Sequence, residues 1–504
     1  MLSACRFDVP PALCLVPDAA TDAAGGTTGT APGDTATATA APLMLSVSGA
    51  RGIIGRTMTP ELGTAFAAAF ASELRVTSGK ERPLVVVGRD SRPSGEMVEY
   101  AVIAGLLSTG CRVIRLGIVT TPTVAVMSGH HNADGGMVIT ASHNPIMWNG
   151  LKFLNADGVA PPKAEAKRII ERYKTRSIDY QDVHHIGSVQ SDDTAHRVHV
   201  DRVLANLDPS AIHRRGFRVV LDSVNGAGCV GGRMLLEQLN CNLHHMNGEP
   251  HGRFAHTPEP LKENLTDLCA AIAEHHADIG FAQDPDADRL VLVDERGTYV
   301  GEEYTLALAV DHMLGEQLTA EAAKQAIVVV NLSTSRMVDD IAERYGARVV
   351  RTAVGEANIV EYMKQHPEQS VGGGEGNGGV IWPRVCYVRD SLSGMALLLD
   401  LMARRNLTLS ALVQSIPSYA IVKTKLPVKP GLAEKGIERT AERWKDQIVD
   451  RQDGVRVDFP AKKAWVALRA SNTEPIIRII AEAPTDADAQ VLVKEVEQVL
   501  QEVG

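Results

Sequence analysis

The sequence has no long hydrophobic run and few aromatic residues. None of its 504 residues falls in an unbroken apolar stretch of the ~18 residues that would indicate a transmembrane helix, so we expect no membrane partner. Aromatic residues make up 4%, and 51 basic against 61 acidic residues give a net charge of −10. A nucleic-acid partner is not expected either, because such proteins use basic stripes and aromatic stacking platforms. The contents of hydrophobic residues (44%) and charged residues (22%) are ordinary for a globular protein.

The seven cysteines contain no Cys-x-x-Cys pair and are scattered from Cys5 to Cys386. This spacing excludes a zinc ribbon and does not resemble a disulfide framework. We therefore expect reduced thiols and a cytoplasmic protein.

Residues 1–43 differ from the rest of the chain. They are rich in alanine, threonine and glycine and contain little large apolar surface, so we expect a disordered tail, or upstream sequence before a true start at Met44. A signal peptide is a poor match, because Asp8, Pro10 and Pro11 interrupt what would be its apolar core.

Strand and helix patterns alternate from Ser46 onwards. A β-branched run at 84–90 precedes an apolar helical pattern that Ser94 is expected to cap, and a further strand follows it. Similar segments recur at 217–228 and 326–335, about 110 residues apart, which predicts three tandem α/β units with mixed, mostly parallel sheets.

The last part of the chain predicts a smaller α+β domain. We thus expect four domains at 44–205, 206–304, 305–415 and 416–504.

Two loops after predicted strands carry groups suited to phosphate and metal chemistry. Ser142 follows the strand in 135–154, and ligands of open α/β sheets lie at such strand ends. Asp284, Asp286 and Asp288 offer three hard oxygen ligands within five residues, which suits Mg²⁺. An EF-hand does not fit, because Arg289 stands where that loop needs glycine and a strand follows where it needs a helix.

Two further loops suit a sugar and a phosphate. Clustered glycines in 371–383 flank Glu375 and Asn377, allowing close backbone approach to a ligand. Residues 468–480 form a candidate phosphate cradle, with guanidinium, hydroxyl and amide groups around a turn: Arg469, Ser471, Asn472, Thr473 and Arg478. The segments 46–55, with Arg51, and 88–95 are cationic loops that point the same way.

The motifs TASHNP (140–145), DPDADR (284–289), GEGNGG (374–379) and RASNTEP (469–475) occur in this order over some 330 residues. Together they resemble the α-D-phosphohexomutase superfamily, which includes phosphomannomutase/phosphoglucomutase and phosphoglucosamine mutase. The resemblance implies four domains around a central cleft, three similar α/β units and a smaller last one.

The resemblance also implies roles for individual residues. Ser142 matches the serine that carries a phosphoryl group, and the metal ligands would be this serine with Asp284, Asp286 and Asp288. The residues expected around the transferring phosphoryl group are Arg51, His143, Lys152 and Arg289. Those expected to bind the substrate are Gly355, Glu356, Glu375, Asn377, Arg469, Ser471, Asn472, Thr473 and Arg478.

The chain departs from common family patterns at three places. Asn377 and Gly379 stand where relatives often have serine and histidine, Asn472 replaces a glycine, and Glu356 replaces a histidine of some relatives. This set resembles a branch of archaeal and some bacterial sequences often assigned as phosphoglucosamine mutases.

The implied activity is interconversion of a hexose 6-phosphate and a hexose 1-phosphate through phosphorylated Ser142 and a 1,6-bisphosphate. Glucosamine phosphate is the expected substrate, with a phosphomannomutase/phosphoglucomutase as the alternative. The implied cofactors are Mg²⁺ and a hexose 1,6-bisphosphate activator, and we expect a monomer or homodimer. A phosphatase with an aspartate nucleophile and a non-catalytic sugar-phosphate-binding paralogue remain as more distant alternatives.

Overall fold

The first sheet has seven strands, four of which form a unit that recurs later in the chain. The computed structural model describes residues 43–46, 49–429, 431–471 and 476–503. The strands of this sheet are β1 (Met44–Ser46), β2 (Gly49–Ile53), β3 (Leu84–Arg89), β4 (Arg112–Ile118), β5 (Gly135–Ile139), β6 (Trp148–Asn155) and β7 (Ser188–Ser191). They lie in the order β1-β2-β6-β5-β3-β4-β7. The helices are α1 (Pro60–Ser78), α2 (Gly95–Ser108), α3 (Thr121–His130), α4 (Lys163–Thr175) and α5 (Ala195–Leu204).

The second sheet has four strands in the order β11-β10-β8-β9. Its strands are β8 (Arg218–Asp222), β9 (Asn242–Met246), β10 (Ile279–Gln283) and β11 (Leu290–Asp294). Helices α6 (Ser210–Arg215), α7 (Gly228–Gln238) and α8 (Thr266–Glu274) belong to this part of the chain.

The third sheet repeats this arrangement in the order β13-β12-β14-β15. Its strands are β12 (Ile327–Asn331), β13 (Arg348–Thr352), β14 (Ser370–Glu375) and β15 (Gly379–Ile381). The accompanying helices are α9 (Glu302–Gly315), α10 (Ala320–Ala323), α11 (Met337–Tyr345), α12 (Glu356–Gln365), α13 (Ser391–Arg405) and α14 (Leu409–Gln414).

The fourth sheet is antiparallel throughout, in the order β16-β20-β19-β18-β17. Its strands are β16 (Ala420–Pro427), β17 (Ile448–Asp450), β18 (Val455–Phe459), β19 (Ala464–Ala470) and β20 (Ile476–Ala483). Helices α15 (Leu432–Arg443) and α16 (Asp486–Val503) pack on it, and the side chains buried there include Val457, Val466 and Val496.

The first three sheets share one four-strand unit. In each unit the first strand pairs in parallel with the second and third, and the fourth runs antiparallel to the third. The first, second and third units also share one hydrophobic core, to which their strands contribute Val86, Leu221 and Val329. The turn between the third and fourth strands is therefore an equivalent position in all three units.

Two local expectations need correction. The first sheet is not mostly parallel, because antiparallel β1, β2 and β6 give it three parallel and three antiparallel pairings. Ser94 precedes α2, but its side chain makes no cap hydrogen bond; its Oγ accepts one from Asn149 Nδ2 at 3.0 Å instead.

In the described part of the chain, no helix is both long and apolar enough to cross a membrane.

Candidate active site

Ser142 lies in the turn between β5 and β6, the third-to-fourth-strand turn of the first unit. Its backbone has a φ of +52°, an unfavourable conformation for a residue with a Cβ. Thr140 Oγ1 accepts a hydrogen bond from Ser142 N at 2.9 Å and in turn donates to Asp90 Oδ2 at 2.7 Å. The serine is 3% exposed, and its Oγ donates to Asp284 Oδ2 at 3.0 Å. The turn thus presents the hydroxyl to the next unit.

Arg92 stabilises the turn that carries Ser142. Its guanidinium donates to four carbonyl oxygens, those of Ser142 (2.5 Å), Asn144 (2.7 Å), Pro145 (2.8 Å) and Trp148 (3.2 Å). Its remaining N–H pairs with a buried carboxylate at 3.0 Å, and the side chain is fully buried. The sequence suggested a cationic ligand-binding loop at 88–95. The Arg92 N–H groups instead donate to Asp90 and to the backbone of the serine turn, so they are not available to a ligand.

The three aspartates occupy the equivalent turn of the second unit, between β10 and β11. Asp284, Asp286 and Asp288 are at most 1% exposed, and a ligand oxygen of each lies within 4.8 Å of the other two. Asp286 Oδ1 and Asp288 Oδ1 are buried and have no hydrogen-bond partner. Burial, and then the charges of the other two carboxylates, raise the pKa of Asp284 well above its usual range. Hard oxygen donors in this state fit a divalent cation such as Mg²⁺.

Lys152, in β6, lies beside this carboxylate cluster. Its Nζ is 2.7 Å from Asp286 Oδ2 and 3.4 Å from Asp288 Oδ2. Burial lowers the pKa of Lys152, but the two carboxylates outweigh it and leave a net increase. The pKa of Asp286 is lowered overall, since Lys152 outweighs the effect of burial. The lysine therefore stays charged at neutral pH.

The other residues expected near the phosphoryl group also face this cluster. Arg51 Nη1 donates to Asn144 Oδ1 at 3.4 Å, and Arg289 N donates to Asp284 Oδ1 at 3.1 Å. His143 Nδ1 is 3.3 Å from Ser142 Oγ. Burial, together with the charges of Arg289 and Arg51, lowers the pKa of His143 to about 3. The imidazole is thus neutral at pH 7.

The amino acids expected to bind the sugar lie in the third unit. Glu375 ends β14 at the equivalent turn, where its Oε1 accepts from Asn331 Nδ2 at 3.0 Å and its Oε2 from Asn377 Nδ2 at 3.3 Å. Gly355 precedes α12 with a φ of 122°, which only glycine adopts readily, and thereby sets the position of Glu356. Burial raises the pKa of Glu356.

Arg389 connects the residues expected to bind the sugar with the aspartates, and the sequence analysis did not identify it. Its guanidinium contacts Asp288 Oδ2 at 2.7 Å, Glu356 Oε2 at 2.9 Å and Glu375 Oε2 at 2.8 Å. The available signal was weak: a lone arginine before Asp390, which caps α13. Such a residue is indistinguishable in sequence from an exposed cation beside a helix.

The candidate phosphate loop is described in part. Asn472 and Thr473 lie outside the described residues. Arg469 and Arg478 are register partners in β19 and β20, and Ser471 N donates to the Ile476 carbonyl at 3.0 Å. Asp453 Oδ2 lies 3.0 Å from Arg469 Nε and accepts from Val354 N at 3.2 Å, one residue before Gly355. One carboxylate thus joins the fourth domain to the segment leading into α12.

Four family models match the chain in order. Their descriptions are "Phosphoglucomutase/phosphomannomutase, alpha/beta/alpha domain I" (44–179), "domain II" (197–297), "domain III" (302–419) and "C-terminal domain" (425–499). Three repeated α/β units with a buried serine facing three carboxylates, followed by an antiparallel α+β domain, agree with this succession. The chain belongs to the phosphoglucomutase/phosphomannomutase family. The expected four-domain fold is confirmed, and our domain boundaries stay a prediction.

Relatives match over nearly their whole length. A phosphoglucomutase/phosphomannomutase of Thermococcus kodakarensis is 38% identical over 88% of this chain and 95% of its own. A probable phosphoglucosamine mutase of Methanopyrus kandleri is 35% identical over the same shares. A phosphoglucomutase/phosphomannomutase family structure from Burkholderia thailandensis has a TM-score of 0.79 at 26% identity, over 91% and 98%. The expected enzyme class, an isomerase of the phosphohexomutase type, is confirmed.

Proposed function

We propose that this phosphohexomutase transfers a phosphoryl group between Ser142 and the 1- and 6-hydroxyls of a hexose phosphate, with glucosamine phosphate as the preferred substrate. The observation that carries the proposal is the 3.0 Å hydrogen bond from Ser142 Oγ to Asp284 in a buried carboxylate cluster. A serine phosphorylated here would lie beside three carboxylates, an arrangement that needs compensating positive charge. The chain supplies Lys152, Arg51 and Arg289, whose charges act on the aspartates.

The proposed reaction has two transfers. In the first, the bond from phosphorus to Ser142 Oγ breaks as a bond to the free sugar hydroxyl forms. The hydroxyl proton passes to a base, and Ser142 Oγ takes up a proton to become a free hydroxyl. The resulting 1,6-bisphosphate reorients, and the bond from its other phosphorus to the sugar oxygen breaks as a bond to Ser142 Oγ forms. The serine proton passes to a base and the sugar oxygen is protonated, which regenerates the phosphoenzyme. Phosphoryl transfer of this kind depends on positioning and charge stabilisation.

The geometry favours different tasks for the neighbouring groups. Lys152 keeps its proton because the aspartates raise its pKa, so we assign it to charge stabilisation. His143 Nδ1 lies 3.3 Å from Ser142 Oγ, and on this geometry we assign the proton-accepting role to its imidazole.

We propose Mg²⁺ as the cation held by Asp284, Asp286 and Asp288, with phosphorylated Ser142 as a further ligand. The two buried carboxylate oxygens without partners, Asp286 Oδ1 and Asp288 Oδ1, support this assignment. When bound, Mg²⁺ would offset the negative charge of the phosphoryl group and the carboxylates.

We further propose that Glu375, Glu356, Asn377 and Gly355 bind the sugar, and that the loop of Arg469, Ser471, Asn472, Thr473 and Arg478 holds the phosphate that is not reacting. The name of the Methanopyrus relative supports glucosamine phosphate, whereas that of the Thermococcus relative favours glucose and mannose phosphates as alternatives. A hexose 1,6-bisphosphate as activator, a cytoplasmic location and a monomeric or homodimeric state complete the proposal.

The test is turnover of three substrates, glucosamine 6-phosphate, glucose 1-phosphate and mannose 1-phosphate, with Mg²⁺ and the matching 1,6-bisphosphate. We expect turnover by the wild type, no turnover by Ser142→Ala, and the highest kcat/KM for glucosamine 6-phosphate. Wild-type activity in Ser142→Ala would refute the phosphoserine route and favour an aspartate nucleophile. A higher kcat/KM for another sugar would keep the reaction and replace the substrate.

A further inference from the structure

One arginine contacts three carboxylates that come from three separate segments of the chain. Asp288 belongs to the metal-binding turn, Glu356 begins α12 and Glu375 ends β14, and each has an oxygen within 2.9 Å of the Arg389 guanidinium. The Arg389 side chain is 13% exposed. Its Nη1 also lies 3.5 Å from Asn377 Oδ1. The Arg389 guanidinium therefore bridges the side chains that are proposed to bind the sugar.

The planar guanidinium suits this task. It presents five N–H donors in a fixed geometry, so Nε, Nη1 and Nη2 can each address a different carboxylate. Without it, Glu356 and Glu375 would repel each other in a largely buried place, and their side chains would have other preferred positions. The backbone N–H of Arg389 adds a second bond to Glu356 Oε2 at 3.1 Å.

Gly379 leaves the space that Arg389 fills. A Cβ added at Gly379 would overlap Arg389 Cδ and lie 2.8 Å from its Cγ, so a side chain there and the observed position of Arg389 exclude each other. Gly379 is not among the glycines with positive φ, so its backbone conformation does not require glycine. The requirement is one of space.

We infer that Arg389 is the positioning residue that fixes Glu356 and Glu375 for the hexose hydroxyls, and that Gly379 is small in order to admit it. The inference rests on the proposed function. The cation that pairs with the sugar-binding carboxylates is thus Arg389, in the segment before α13. Gly379 contributes no side chain and leaves the space that Arg389 occupies. Arg389 also connects the sugar-binding residues to Asp288 through one side chain.

The test compares Arg389→Ala, Gly379→His and the double variant by kcat and KM for the best hexose phosphate. We expect each single variant to lose roughly 10- to 100-fold in kcat/KM, mainly through KM, since the charged hydrogen bonds that position the sugar-binding carboxylates are lost. In the double variant the Arg389 atoms that overlap a residue at 379 are gone, and an imidazole can donate to Glu375. It should therefore be about 10-fold more active than either single variant.

Controls separate positioning from folding and from the proposed function. Arg384→Ala removes an exposed arginine of the same segment and should leave kcat and KM unchanged. A double variant no better than Arg389→Ala, or an Arg389→Ala variant with wild-type KM, would overturn the inference while wild-type turnover still supports the mutase. If the wild type neither turns over nor binds any of the three hexose phosphates in calorimetry, the proposed function fails and the inference fails with it.

Discussion

Replacing Arg92 with methionine tests how the serine turn is held. Methionine fills much of the same volume without any donor, so Asp90 loses its ion-pair partner and four carbonyl oxygens each lose one hydrogen-bond donor. Removing one partner of a buried ion pair typically costs about 3–5 kcal/mol. That is a large share of the roughly 5–15 kcal/mol that separates folded from unfolded states of typical proteins.

The effect on catalysis follows from the same contacts. Ser142 keeps a φ of +52° only while its surroundings hold the turn, and Arg92 bonds directly to its carbonyl oxygen at 2.5 Å. A displacement of the serine by about 1 Å is expected to lower kcat about 100-fold. We expect KM to change little, because the amino acids proposed to bind the sugar lie in the third unit, whereas Arg92 lies in the first.

The assay combines steady-state kinetics with thermal unfolding and intact-mass measurement of the phosphorylated fraction. Arg112→Met, which removes an exposed arginine from β4, is the matched control and should behave as wild type. Adding Asp90→Asn to Arg92→Met removes the unpaired charge, so it should recover Tm but not kcat. Wild-type kcat in Arg92→Met would refute the argument that Arg92 positions Ser142.

Three further predictions concern the metal, one backbone position and one buried acid. A chelator should abolish turnover and Mg²⁺ should restore it, while Asp286→Asn should raise the Mg²⁺ concentration needed for half-maximal rate. Gly355→Ala forces a Cβ onto a φ of 122°, at a cost of about 1–3 kcal/mol, and should lower Tm and raise the KM for the sugar phosphate. Burial raises the pKa of Glu303 from 4.5 to about 8, so its ionisation destabilises the folded state as pH rises through this range. Glu303→Gln should match the wild-type Tm at pH 4.5 and exceed it at pH 9.

Each of these has an outcome that would contradict it. Full turnover in chelator would exclude a required divalent cation at the three aspartates. Unchanged Tm and KM in Gly355→Ala would show that the segment before α12 tolerates a different backbone conformation. For Glu303, whose carboxylate accepts from Ser335 N at 3.0 Å, equal Tm values at pH 9 would show that the raised pKa has no effect on stability.

Much of the fold followed from local patterns. A threonine followed by proline is typical of a helix start, and at the start of α1 Thr59 Oγ1 accepts from Leu62 N at 3.3 Å. The three strand–loop–helix segments recur because each unit buries its first strand between two parallel neighbours, which demands a continuous β-branched run. The antiparallel pairings of β1, β2 and β6 were not foreseen, because strand direction depends on partners distant in the chain.

The sequence by itself determined the order of the motifs, the residue types at Ser142 and the three aspartates, and the class of enzyme. Tertiary structure alone decided which charges meet, since Ser142 and Asp284 are 142 residues apart and Arg389 and Asp288 are 101. Arg92 and Arg389 show the difference. Local patterns report periodicity and turn chemistry, whereas a buried arginine takes its role from carbonyls and carboxylates that only the packing of separate units brings within hydrogen-bond distance.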